Sequence, residues 1–220
     1  MSVDAPATQF TGFTEQALDF YDDLEMDNTR SFWEAHKDVY DEQVRAPMTA
    51  LAAALAEEFG AAKVFRPYRD VRFAKDKTPY KTHQGAFVAL GPATGWYVEI
   101  SARGVRTAAG FYHAESADLA RIRTAIDNDA SGRQLERILA KIEKAGYERG
   151  GDRLKTSPRG WPADHPRIDL LRHRSLTMSR DYGFDELIHS AALLDAVRRD
   201  WRTTRPLVEW VADRVDVLPG

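Results

Sequence analysis

The chain has 220 residues, 43% of them hydrophobic and 30% charged, with a formal net charge of −3 at pH 7. A globular chain of this length and composition buries enough surface to fold without covalent cross-links. Because the sequence contains no cysteine, disulfides, thiolate nucleophiles and Cys-ligated metal sites are excluded. The lack of cysteine fits the reducing cytoplasm, and no apolar run reaches the roughly 18 residues that span a bilayer. We therefore expect a cytoplasmic protein that is not embedded in a membrane.

Charge is distributed unevenly along the chain. Residues 1–60 hold 13 acidic and 3 basic side chains, whereas residues 61–83 hold 7 basic and 2 acidic ones. A second basic stretch, residues 149–180, holds 8 basic and 3 acidic side chains. Either the acidic helices neutralise these stretches within the fold, or the basic side chains face a common anionic ligand.

The first sixty residues are predicted to be helical after a short leader. Residues 1–9 lack the charged start and apolar run of a signal peptide and are interpreted as a disordered leader. Apolar spacing predicts a helix over residues 15–26 with Thr14 as its cap. A second helix is expected to be capped by Asn28, and a third to have Pro47 in its first turn.

Strands follow the helices. Residues 63–74 suggest one or two short strands, and residues 85–90, 96–101 and 105–112 are clearer strands separated by short loops. Short loops between consecutive strands predict an antiparallel meander.

The remainder returns to helical patterns around an irregular segment. Helices are predicted over residues 116–128, 132–145 and 190–214. The second of these is expected to open with a capping box at Ser131, and Pro206 is expected to kink or split the last. Breakers dominate residues 147–182, where a short helix and one strand are possible.

This order of elements predicts the α+β class. We expect one domain over residues 10–214, built from an antiparallel meander covered by N-terminal and C-terminal helices, followed by a tail over residues 215–220.

Residues 66–83 are the strongest candidate for a functional site. They combine six basic side chains, two aspartates, three aromatics, two prolines and a histidine. Two aspartates cannot neutralise six cations, and arginine and lysine side chains bind phosphate or carboxylate oxygens. We therefore predict a cleft for a small phosphate- or carboxylate-bearing ligand, with Lys155 and Arg159 closing over it. The predicted ligand-binding residues are Arg69, Asp70, Arg72, Asp76, Lys77, Tyr80, Lys81, His83, Lys155 and Arg159.

Two other interpretations of residues 66–83 stay open. The aspartates and arginines can form a structural ion-pair network in an interaction protein that has no ligand site. Basic residues interleaved with aromatic ones can also bind nucleic acid, although the overall pI of about 6.1 opposes a long polyanion. Whether the protein is an enzyme is open as well, and in an enzyme His83 or Asp76 is the expected proton carrier.

Established catalytic motifs are absent from the sequence. It contains no HExxH zinc motif, no Walker loop, no GxGxxG and no GxSxG, and its six histidines lack metal-ligand spacing. We therefore predict neither a metal nor a cofactor.

The segment from Arg69 to His83, RDVRFAKDKTPYKTH, resembles the signature of a family of conserved hypothetical proteins from bacteria and fungi, a domain of unknown function. Three further stretches are similar to the same family, and the resemblance covers about residues 10–214. These stretches are residues 20–40, residues 95–98 with 110–112, and residues 154–172. The resemblance implies a single α+β domain and brings no activity, cofactor or catalytic residue.

Overall fold

The computed structural model describes residues 9–73, 75–92 and 94–215 of the chain. Its strands are β1 (Lys63–Val64), β2 (His83–Gly91), β3 (Thr94–Ser101), β4 (Gly104–Phe111), β5 (Glu148–Gly150) and β6 (Leu176–Gly183). They form one six-stranded sheet in the order β1-β2-β3-β4-β6-β5. The first four strands are neighbours in both sequence and sheet, so the predicted α+β class and antiparallel meander are confirmed.

Helices precede the sheet as the apolar spacing predicts. They are α1 (Glu15–Met26), α2 (Arg30–Ala35), α3 (Lys37–Val39), a π-helical segment (Tyr40–Arg45) and α4 (Ala46–Phe59). Pro47 lies in the first turn of α4, where its missing amide hydrogen costs nothing. Gly60 follows the last residue of α4 with a φ of 96°, a conformation that suits glycine.

The C-terminal half adds four α-helices and a 3₁₀ turn. They are α5 (Ser116–Asp127), α6 (Asp129–Lys144), α7 (Ile168–Leu171), a 3₁₀ helix (Glu186–His189) and α8 (Ala192–Ala212). The short strand β5 lies in a region that the sequence predicted to be irregular, and it pairs antiparallel with β6.

Two predicted helix caps are wrong. Thr29, not Asn28, caps α2, and the Asn28 amide is paired with the backbone of Tyr80 instead. Asn128 caps α6 and accepts a hydrogen bond from the Ser131 amide, so Ser131 lies inside the helix rather than at its start. Only Asn128 separates α5 from α6, so the cap lies earlier than the sequence pattern indicated.

Of the two predicted effects of Pro206 on the last helix, the split is wrong and the kink stays a prediction. Helix α8 runs without interruption through Pro206. A proline inside a helix costs about 3 kcal/mol because it removes a hydrogen bond and crowds the preceding turn. Trp201, Leu207 and Val208 are fully buried on either side of the proline, and their packing offsets this cost.

The chain divides into two compact units. The first comprises residues up to 88 with residues 97–106 and 181–199, and the second comprises residues 89–96, 107–180 and those from 200 onward. The single domain predicted over residues 10–214 stays a prediction. Apart from residues 9 and 215, the predicted leader and tail lie outside the described residues.

Each unit buries its own apolar side chains. In the first unit, fully buried residues include Phe13, Tyr21, Leu24, Leu51, Leu55 and Ile100. In the second, a core cluster includes Phe111, Ile122, Leu135, Leu139, Met178, Leu207 and Val211. Among the residues that the structure describes, no helix combines the length and the apolarity needed to cross a membrane.

Candidate functional site

A cavity of about 500 Å³ lies in the first unit, beside the base of the basic segment. It is lined by residues of α2, α3, the π-helical segment, α4 and β1, and by the chain that follows β1. Cavities of this size accommodate small-molecule ligands. Its aromatic lining consists of Trp33, Tyr40, Phe65 and Tyr68, and its charged lining of Lys37, Asp41, Arg45 and Arg66.

The charged lining has more cations than anions. Lys37 and Arg45 both pair with Asp41, one helical turn away on either side. Arg66 forms no direct ion pair among the described residues, although its charge helps to lower the pKa of the Asp70 carboxyl. The cavity lining itself holds three cations and one carboxylate, and the surplus positive charge attracts an anion.

Lys81 adds a further cation next to this lining. Its ammonium group donates to the Arg66 carbonyl at 2.9 Å and lies 5.3 Å from the centre of the Phe65 ring. Partial burial, followed by repulsion from Arg66 and Lys63, lowers the pKa of Lys81. An anion bound at this point relieves that repulsion and favours the charged amine.

The wall of the cavity contains the π-helical segment. Here the Ala46 amide donates to the Asp41 carbonyl, five residues back, and π-helical turns of this kind are frequent at functional sites. The Tyr40 hydroxyl donates to the buried Gln84 side chain at 2.6 Å. Burial raises the pKa of Tyr40 to about 12, so its hydroxyl stays protonated at neutral pH. Gln84 in turn donates to the Phe65 and Gly85 carbonyls and fixes this wall to β2.

An aromatic stack joins the cavity to the basic segment. The rings of Trp33 and Tyr80 lie parallel, 4.3 Å apart, and Tyr68 contacts both. The Asn28 side chain accepts from the Tyr80 amide and donates to the Tyr80 carbonyl, each at 3.1 Å. The indole nitrogen of Trp33 is buried, and no described residue accepts its hydrogen bond.

The basic segment is an antiparallel extension of β1 and β2, which we call the basic hairpin (residues 66–73 and 75–81). Its strands are held by hydrogen bonds from the Arg69 amide to the Pro79 carbonyl and from the Lys81 amide to the Pro67 carbonyl, both at 2.8 Å. Tyr68 and Tyr80 form the bridge between them. The hairpin thus places its base at the cavity and its tip away from the Tyr68–Tyr80 bridge.

Two ion pairs near the tip use both aspartates of the hairpin. Arg69 binds Asp76 and Thr78, and these contacts together with the Thr78 amide lower the pKa of Asp76 to about 2. Arg72 forms a two-point contact with Asp70, at 2.9 and 2.6 Å, which lowers the pKa of that carboxyl. These four predicted ligand residues are partners of one another, as the structural interpretation of the segment expects.

The other predicted site residues are dispersed. Lys77 donates to the Val71 carbonyl at 2.9 Å near the hairpin tip, and His83 is partly buried at the start of β2. Lys155 and Arg159 are exposed in a loop of the second unit. A ligand-binding role for the ten predicted residues stays a prediction.

Sequence reasoning missed the residues that line the cavity. Lys37, Asp41 and Arg45 are spaced four residues apart, which is the signal of one helical face, but the sequence analysis did not consider this pattern. Arg66 lies in the predicted segment and was left out of the ligand set. Within the described part of the chain, no group of three or more histidines and carboxylates is placed to hold a metal ion.

Comparison with known proteins identifies the family. The sequence profile of the conserved hypothetical proteins DUF2461 matches residues 16–210. The chain belongs to the DUF2461 family. The resemblance read from the basic segment is therefore confirmed at the level of the family.

Other comparisons are distant. A crystal structure of an uncharacterized protein from Methanothermobacter thermautotrophicus shares 12% identity with this DUF2461 chain, at a TM-score of 0.39. The match covers 74% of this chain and 95% of that one. The comparison with curated proteins returned no match.

Proposed function

We propose that the protein binds a small anionic ligand, bearing a phosphate or carboxylate group, in the cavity at the base of the basic hairpin. The charge imbalance of the cavity lining carries this proposal. Lys37, Arg45 and Arg66 face a single carboxylate, Asp41, in a space of about 500 Å³. The guanidinium of Arg66 is the group available for two-point contact with an oxyanion.

The aromatic lining also supports a ligand in this cavity. The aromatic side chains Trp33 and Tyr68 suit a ligand whose remainder is apolar or planar, because ring faces stack on flat groups. The ion pairs of Arg69 and Arg72 hold the hairpin in shape, and Lys81 contributes charge next to Arg66.

The proposal is tested by thermal unfolding and isothermal titration with inorganic phosphate, citrate and a nucleoside monophosphate as probes. A ligand that binds only the folded protein raises its unfolding midpoint. We expect at least one probe to bind wild type. Arg66→Ala should weaken that binding by about 1.5–3 kcal/mol, because a charge-assisted contact is lost, without changing the midpoint of the free protein.

Two matched variants sharpen the test. Arg103→Ala removes an exposed cation from the β3–β4 turn of the same unit and should leave binding unchanged. Asp41→Asn removes the one acidic group of the lining and should tighten anion binding by about 1 kcal/mol. Binding of no probe to wild type, or equal binding by wild type and Arg66→Ala, contradicts the proposal.

A further inference from the structure

The tip of the basic hairpin presents an aromatic ring to solvent. Phe73 is 98% exposed, and Tyr68, nearer the hairpin base, is 48% exposed. Phenylalanine in a folded protein is normally covered, since leaving the side chain in water costs about 2–3 kcal/mol relative to burial. Single exposed apolar side chains are common on protein surfaces, and Phe73 stands out because it lies two residues from Lys75 in a segment with surplus positive charge.

The same tip carries positive charge that the protein does not neutralise. Its two aspartates are occupied by Arg69 and Arg72. Lys75 and Lys77 have no acidic partner among the described residues, and the only contact of Lys77 there is with the Val71 carbonyl. Lys75 and Lys77 are exposed and lie two and four residues after Phe73, so their charge favours an anionic partner for this surface.

We propose that the hairpin tip binds single-stranded nucleic acid, with a base stacked on Phe73 and phosphates held by Lys75 and Lys77. Positively charged surfaces that carry exposed aromatic rings bind single strands in this way. A single strand fits better than a duplex, because an exposed ring needs an unstacked base and the bases of a duplex are stacked on one another. This inference concerns the tip, goes beyond the small-anion cavity, and does not involve Arg66.

The chemistry of the tip favours a nucleic acid over an anionic membrane. Only one large apolar side chain is fully exposed there, because Val71 is partly buried, and a peripheral membrane contact needs a larger apolar area. The acidic first sixty residues, with 13 acidic and 3 basic side chains, oppose a long polyanion beyond the tip. We therefore expect a short contact of a few nucleotides without strong sequence preference.

Fluorescence anisotropy with a short labelled oligo(dT) and the full chain at low salt tests this inference. Phe73→Ala should weaken binding by between about 5-fold and 150-fold, the range measured when one stacked base is lost. Phe184→Ala removes a phenylalanine that is 71% exposed elsewhere in the first unit, and it should bind like wild type.

The salt dependence tests the role of the lysines. Two phosphate contacts to a single strand predict that log K falls with log salt at a slope of about −1.4. The double variant Lys75→Gln, Lys77→Gln should lose most of that slope.

Three results overturn the inference. They are no binding of the oligonucleotide to wild type, equal binding by wild type and Phe73→Ala, and binding of a duplex as tight as that of the single strand. If the oligonucleotide does not bind, Phe73-dependent binding to phosphatidylserine vesicles assigns the tip to a membrane surface. Binding of phosphate or citrate that depends on Arg66 reports on the cavity alone, so the two proposals fail separately.

Discussion

The two basic stretches of this chain, residues 61–83 and 149–180, are alike in composition, but their basic side chains have different surroundings in the structure. In residues 149–180, Arg167 is 7% exposed and donates to the Ile126 and Asp127 carbonyls at the end of α5, and to Asp129. In the basic hairpin, Phe73, Lys75 and Lys77 are exposed. The first kind of basic residue completes the fold, and we propose that the second kind binds a ligand.

The two stretches differ in the hydrogen-bond acceptors that surround their basic side chains. The last carbonyls of a helix have no partner within the helix, and a buried guanidinium with several donors satisfies them at once. Arg180 similarly lies 3.2 Å from Asp200, which is 1% exposed and also accepts from Thr107 and Tyr147. Among the described residues, Lys77 donates to one carbonyl, that of Val71, and neither Lys75 nor Lys77 pairs with a carboxylate. Counting basic residues in a sequence cannot separate these two uses.

The largest effect on stability is expected from the buried network of the second unit. Asp200→Ala leaves Arg180 and Tyr147 without their buried carboxylate and should lower the free energy of unfolding by about 3–5 kcal/mol. Urea unfolding measures this. Asp195→Ala is the control on the same helix, because Asp195 is exposed and, within the described part of the chain, pairs with Arg198 alone. This variant should cost less than about 1 kcal/mol. Equal losses of unfolding free energy for the two variants would show that burial of an aspartate does not determine its contribution to stability.

The second-largest loss of stability is expected from removal of the buried Arg167 side chain. Arg167→Ala leaves two carbonyls at the end of α5 without a donor and should cost about 2–4 kcal/mol. Arg133→Ala is a matched control, because Arg133 contacts the same Asp129 from an exposed position. The control should change the unfolding free energy by less than about 1 kcal/mol. An Arg167→Ala variant as stable as wild type would contradict the structural role of the second basic stretch.

A smaller effect is expected where the hairpin joins the first unit. Asn28→Ala removes two hydrogen bonds to the Tyr80 backbone and should cost about 1–2 kcal/mol. It should also speed tryptic cleavage of the hairpin at neutral pH. Asn28→Asp keeps the acceptor and loses the donor, so its cost should fall between those of wild type and Asn28→Ala. Unchanged cleavage in Asn28→Ala would show that other contacts hold the hairpin.

The smallest effect should come from the exposed ion pairs of the hairpin, and it should depend on pH. The pKa of Asp76 is about 2 in the folded protein, below the value of about 3.9 for an unfolded chain. Its contribution to stability is therefore present above pH 4 and lost as the pH falls towards 2. Thermal unfolding of Asp76→Asn should show a slightly lower midpoint than wild type at pH 7, and this difference should shrink as the pH falls towards 2 and vanish below it. A difference that stays constant over this range would show that ionisation of Asp76 plays no part.

Much of the fold was predictable from local patterns, and the site was predictable only in outline. The alternation of Trp96, Val98 and Ile100 identified β3, and all three are buried. The pairing of Asn28 with Tyr80 joins residues 52 positions apart, and an asparagine before a helix looks like a cap in sequence. The cavity could not be predicted for the same reason, since contacts between distant parts of the sequence bring residues of five elements together there. Composition pointed to the hairpin because its charge excess is local, and it could not show which cations were paired.

The most direct test of this account is the unfolding midpoint of wild type and Arg66→Ala, each with and without phosphate, citrate and a nucleoside monophosphate. The account predicts equal midpoints for the two free proteins and a rise with at least one probe in wild type alone. Early unfolding of free Arg66→Ala, with no probe stabilising wild type, would contradict it and would make the basic hairpin a structural element of the same kind as the second basic stretch.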